Sequence, residues 1–208
     1  MNPRVPGRGL PAPLLAALAG GALILLLQAL PAALPALEYR RAELPAEPWR
    51  LLTGHLVHLG WRHALVNAGA WLALALLFAP YLDTKRQLLT LALAATFISL
   101  GLAGWYPSIR WYCGASGTLH ALLFAGAVAA LGASLRSRSA RSALIPLALL
   151  VGDAIRIALE QPGGAATPFA AWLGATTVPQ AHLLGAVAGT ALGLFWAARA
   201  RRRREISG

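Results

Sequence analysis

Charge is what this 208-residue sequence has least of: 12% of its residues are charged and seven are acidic, whereas 58% are hydrophobic. With a mean hydropathy of +0.61, that balance excludes an ordinary soluble domain, in which about 25% of residues are charged. Cys113 is the single cysteine, which excludes an intramolecular disulfide and a thiolate metal cluster. It is expected to be a small buried residue, although its nearness to Ser116 makes it a candidate labelling site. No repeat of fixed period occurs, and no polar stretch is long enough for a second core, so one domain is expected. The net charge of +11 does not imply nucleic acid, because the Lys and Arg residues cap apolar segments instead of lining an amphipathic face.

What is present is a series of apolar runs near the roughly 20 residues that cross a bilayer. They cover residues 13–34, 51–78, 88–105, 114–135, 143–159 and 180–198. The expected fold is therefore an all-α membrane protein of six transmembrane helices. Residues 1–12 form a cytoplasmic N-terminus, 13–198 the membrane domain and 199–208 a basic cytoplasmic tail. The first run, with Arg4 and Arg8 before it, also resembles a signal peptide; its length favours a retained helix. Arg4, Arg8, Lys85, Arg86, Arg136, Arg138, Arg141, Arg199 and the arginines at 201–204 all fall on one side if every run spans. By the positive-inside rule that side is the cytoplasm. The loops at residues 38–50, 106–113 and 161–179 then lie outside, the last of them without charge and a candidate flexible cover.

Ionisable groups inside apolar spans cost about 2.5–3.5 kcal/mol each on insertion scales, so each needs a partner or a function. Ser116 lies between Gly114-Ala115 and Gly117, where a polar loop becomes an apolar run. Gly117, Ala121 and Ala125 form a small-residue stripe beside the face that carries Ser116 and His120. His182 is followed by Gly185, Gly189 and Gly193 on one face. Close packing of these two stripes brings Ser116 and His182 within hydrogen-bonding distance. A neutral imidazole suits removal of the serine proton at neutral pH. His63 and Asn67, four apart, share a helix face at the same depth. With the Ser116 backbone N–H they offer donors to a developing oxyanion. Taken alone, the pair is equally a structural hydrogen bond, and a histidine such as His182 is more often a satisfied interhelical residue than a catalyst. Asp153, Arg156 and Glu160 form a self-neutralising row, read as a structural ion-pair row or as part of the substrate access surface. His55 and His58 have an H-x-x-H spacing that fits a zinc site poorly, and no metal or other cofactor is expected.

These pieces occur together in the order found in rhomboid intramembrane serine proteases. The resemblance rests on Trp49-Arg50, on His58, His63 and Asn67, on Gly114-Ala115-Ser116-Gly117, and on Ala181-His182 with Gly185. It reaches from about Trp49 to Gly193. The Trp-Arg-Leu-Leu-Thr-Gly-His and Tyr-Cys-Gly-Ala-Ser-Gly-Thr-Leu-His runs, in a short chain, more narrowly resemble rhombosortases. The resemblance implies a six-helix rhomboid-like bundle in a bacterial inner membrane, with its site open to the periplasmic side. Its partners would be the lipid bilayer and single-pass membrane proteins whose C-terminal Gly-Gly sorting tails it removes.

The resemblance also implies roles. Ser116 would be the nucleophile and His182 the general base, a dyad without a carboxylate. Asn67, His63 and the Ser116 amide would form the oxyanion hole. Gly114, Gly117, Gly185 and His58 would support the site. His120 stands where many rhomboids have a tyrosine that stacks on the histidine; it is expected to stack in its place, with a share in the base role as the alternative. Glycine at the cleavage point lowers the cost of unwinding a substrate helix. Rival readings are a catalytically silent client-binding protein, an acyl transferase using the same nucleophile, and a transporter. The first is disfavoured by the presence of both Ser116 and His182, the last by the lack of an evident inverted repeat.

Overall fold

The computed structural model describes residues 11–161, 172 and 178–207. Six of its helices are long and apolar enough to cross a membrane. They are α1 (Ala12–Ala29), α4 (Trp61–Phe78), α5 (Thr84–Trp105), α6 (Ser116–Arg136), α7 (Ala140–Glu160) and α8 (Pro179–Ser207). Two short helices, α2 (Ala33–Leu37) and α3 (Arg50–Thr53), belong to the loop between α1 and α4. The chain is thus a mostly helical membrane protein with a six-helix, rhomboid-like bundle.

Local chemistry sets several of the helix starts. The Asp83 carboxylate accepts the Arg86 N–H at 2.9 Å and opens α5, and the Ser139 hydroxyl accepts the Ser142 N–H at 3.3 Å to open α7. Each satisfies a first-turn donor that the helix leaves free. The expected second run, 51–78, divides. Its first residues form α3, and Gly60 has a φ of 151° just before α4 begins at Trp61. His55 and His58 consequently lie in a connecting segment and not in the span. The last helix also continues past residue 198 into the basic tail.

α6 is the central post. It is the most buried span and packs on α4, α5, α7 and, most extensively, α8. The α6–α8 contact is as close as two backbones allow. A Cβ on Gly185 would overlap the Gly117 carbonyl oxygen, one on Gly189 the Ala121 carbonyl, and one on Gly193 would stand 2.8 Å from the Ala125 carbonyl. The two small-residue stripes therefore meet in the register 117/185, 121/189 and 125/193. In a bilayer, where burial of apolar groups gives no drive between helices, such close packing is a main source of association.

Outside the spans, two loops are fastened together. Tyr39 and Arg40 (β1) pair antiparallel with Tyr112 and Trp111 (β2). Arg50 is buried, 4% exposed, although it carries a full charge. It is satisfied by Glu47, by Glu43 at 2.9 Å and by the carbonyls of Pro35 and Glu38 at 3.1 and 2.7 Å. Four acceptors around the guanidinium, two of them carboxylates, make its burial tolerable. This loop in turn holds the turn before α6, since the Gly54 carbonyl accepts the Gly114 N–H at 2.9 Å.

Candidate active site

Gly114 has a φ of 115°, a conformation that L side chains rarely adopt, and a Cβ there would stand 2.8 Å from the His63 ring. Glycine is therefore required on two counts. The Tyr112 hydroxyl donates to the Gly114 carbonyl at 2.6 Å, and the Ala115 N–H donates to His58 Nε2 at 3.2 Å. The chain then enters α6 at Ser116, its first residue. The Ser116 N–H is thus among the first-turn donors that have no partner within the helix.

His182, 2% exposed, reaches across from the start of α8. Its Nε2 lies 2.9 Å from Ser116 Oγ. The expected juxtaposition of Ser116 and His182 is present, and the glycine register explains it: Gly117 follows the serine by one residue and its partner Gly185 follows the histidine by three. Behind the histidine, Nδ1 lies 2.8 Å from Glu160 Oε2 at the end of α7. The expectation of a histidine without a carboxylate is corrected by this contact. A carboxylate can only accept, so the Nδ1–H donates to it, and Nε2 is left to accept the serine hydroxyl proton. The row on α7 is therefore neither self-contained nor simply a surface.

The rest of that row folds back onto His120. Arg156 meets Glu160 Oε1 at 2.9 Å and Asp153 Oδ1 at 3.5 Å, and Asp153 Oδ2 accepts the His120 Nδ1–H at 2.6 Å. The His120 ring packs against His182 with centroids 4.5 Å apart and planes inclined at 51°. Its Nε2 faces Arg156 Nη1 at 3.5 Å. Both ring nitrogens are thus engaged away from Ser116, and the contact with His182 is a tilted ring contact in place of the stack expected of this position.

Ser116, His120, His182, His63 and Asn67 line one cavity of about 330 Å³, bounded by α4 on one side and by Asp153, Arg156 and Glu160 of α7 on the other. Asn67 is 4% exposed and donates one amide N–H to the His63 carbonyl at 3.1 Å; the amide has a second N–H. His58 does not line this cavity but braces Ala115. His55 bonds in another direction, with Nε2 at 3.1 Å from both the Ala95 carbonyl and Ser99 Oγ. The two histidines of the H-x-x-H spacing therefore serve different partners. Cys113 is buried, and that burial, with Glu38 nearby, pushes its thiol up to about 12, so it is not a thiolate at neutral pH. The loop expected to cover the site lies mostly outside the described residues. Sequence reasoning placed Glu160 in the α7 row but missed its contact with His182. The signal was there: a carboxylate at the outer end of the fifth run lies at the depth of His182 at the outer start of the sixth.

A half-buried serine against a buried histidine, lining a cavity of a six-helix membrane bundle, has the chemical form of a membrane-embedded serine hydrolase. Residues 45–199 match the Rhomboid domain. That is most of the chain, and the chain belongs to the rhomboid family, whose members are in general intramembrane serine proteases. No curated protein matches it.

Proposed function

We propose that this chain is an intramembrane serine endopeptidase of the rhombosortase type. It cleaves the C-terminal Gly-Gly sorting tails of exported, single-pass membrane proteins in a bacterial inner membrane. The observation that carries the reading is the 2.9 Å contact of Ser116 Oγ with His182 Nε2 in the cavity. Ser116 attacks the scissile carbonyl as His182 takes its proton, and the protonated imidazole then gives that proton to the leaving amine. The Ser116 N–H, the free N–H of Asn67 and His63 face the oxyanion. Water then resolves the acyl-enzyme. Arg136, Arg138, Arg141 and Arg199 lie at the opposite end of the bundle from Ser116, which supports a periplasmic opening, with 1–12 and 199–208 on the cytoplasmic side. The Gly-Gly preference is supported by the Tyr112-to-His120 sequence run and by the low cost of unwinding glycine.

The test uses membranes that contain the full chain, a fluorophosphonate probe and a membrane-anchored reporter ending in a Gly-Gly tail. Wild type should label and cut the reporter. Ser116→Ala should do neither while melting normally, and a leucine pair in place of the reporter's glycines should slow cleavage. Reporter processing by Ser116→Ala would overturn the mechanism, and indifference to the leucine pair would overturn the substrate class.

A further inference from the structure

From the carboxylate behind His182 we infer that Glu160 is a positioning residue for the catalytic base, and that Arg156 fixes which of its oxygens does the work. The inference rests on the protease reading above. Ser116, His182 and Glu160 come from three different spans yet form one line, with 2.9 Å and 2.8 Å separations on either side of the imidazole. The ring has two tautomers, and only the one with its proton on Nδ1 leaves a lone pair facing the serine. An ionised carboxylate at Nδ1 selects that tautomer, sets the ring plane and stabilises the imidazolium formed during attack.

Arg156 adds a constraint. It donates to Glu160 Oε1, from Nε at 3.0 Å and Nη2 at 2.9 Å, and leaves Oε2 for His182. Arginine has no acceptor, so whatever stands at the Oε1 position must accept. The same guanidinium reaches Asp153, which holds His120, and His120 packs on the back of the His182 ring. The groups facing His182 are thus ordered around a loop of contacts: Glu160, Arg156, Asp153 and His120.

This geometry makes a specific prediction about glutamine at position 160. Arg156 forces the amide oxygen toward itself, so the amide nitrogen faces His182 Nδ1. A donor at that point calls for an acceptor on the ring, which moves the imidazole proton to Nε2, where it points at Ser116. The base is then in the wrong tautomer although nothing has changed in size. Removing Arg156 frees the amide to rotate, presents its oxygen to His182, and relieves the defect.

The measurement is fluorophosphonate inactivation of the purified full chain in detergent, resolved into the limiting rate and the half-saturating probe concentration, with melting temperatures alongside. Glu160→Gln should lower the limiting rate by about 10²–10⁴-fold, with half-saturation and melting nearly unchanged. Glu160→Asp should recover part of the rate. Glu160→Gln combined with Arg156→Met should react at least about tenfold faster than Glu160→Gln alone, the gain expected when a base in the wrong tautomer is released. A Glu160→Gln rate within threefold of an active wild type overturns the positioning role. So does a loss that tracks lowered melting and is shared by half-saturation. Failure of Arg156→Met to relieve Glu160→Gln overturns the part assigned to Arg156. A wild type that neither labels nor cuts overturns the protease reading itself, and the Glu160 role with it.

Discussion

Alanine at Gly185 adds one methyl group to the tightest point of the α6–α8 contact. That methyl would overlap the Gly117 carbonyl oxygen, and the obstacle is backbone, which cannot swing aside as a side chain does. Reaching even 3.0 Å, the shortest separation that Cβ atoms tolerate, requires α8 to retreat by about 1 Å. His182 lies one turn before Gly185 and moves with it, whereas Ser116 stays with α6. The 2.9 Å contact between them then opens to about 3.9 Å, outside hydrogen-bonding range. A displacement of that size at a reacting pair costs about 10²-fold in rate, and overpacking costs about 1–3 kcal/mol of stability. The fluorophosphonate reaction of Gly185→Ala should thus slow by about two orders of magnitude with a modestly lower melting temperature. Gly104→Ala is the control, because a Cβ there meets nothing within 4 Å and alanine in a helix stabilises it by about 0.5–1 kcal/mol. If Gly185→Ala reacts at the wild-type rate, the glycine register does not set the distance between nucleophile and base, and the reasoning fails.

Asn67→Ala removes a donor from the cavity and should lower kcat on the Gly-Gly reporter by about 10²–10³-fold with little change in KM; a KM effect alone would assign Asn67 to substrate binding instead. Acid should destabilise the outer loop. Burial pushes His55 down to about 4, and burial together with the neighbouring His63 pushes His58 down to about 3. The unfolded chain takes up those protons from about pH 6.5 and the folded chain does not. The stability is therefore fully present above that pH and is lost as pH falls toward 4. Melting in detergent should fall between pH 7 and 4.5, the window those two histidines define, and His58→Gln, which keeps an acceptor for the Ala115 N–H, should flatten the fall. A flat wild-type curve would contradict the buried neutral state of these histidines.

The spans were legible because hydropathy reports transfer into lipid directly, and the bundle leaves it intact. Ser116, His182 and the glycine stripes were legible because a three-to-four residue spacing is a statement about a helix face. The first half of the second run was misread because 51–60 is apolar enough to pass for a span, while its glycines and buried Arg50 tie it into the outer loop. The strand pair at Tyr39 and Tyr112 left no period to read, being two residues long on each side. Glu160 was hidden by its own neighbours. Arg156 neutralises it on paper, and only the rotation of α7 about its axis, which sequence does not report, shows that its second oxygen faces another helix.

Ser116 and His182 are 66 residues apart in the chain, and His182 belongs to a helix made after α6 and α7. Membrane helices emerge in order, so while the 66 residues from Ser116 to His182 are made the growing polypeptide displays a serine with no histidine partner beside it. On the proposed mechanism, chemical competence arrives only when α8 seats its glycines on α6. A chain stalled before that point is, on the same mechanism, inert toward its neighbours, so the order of synthesis acts as a safeguard against premature cleavage.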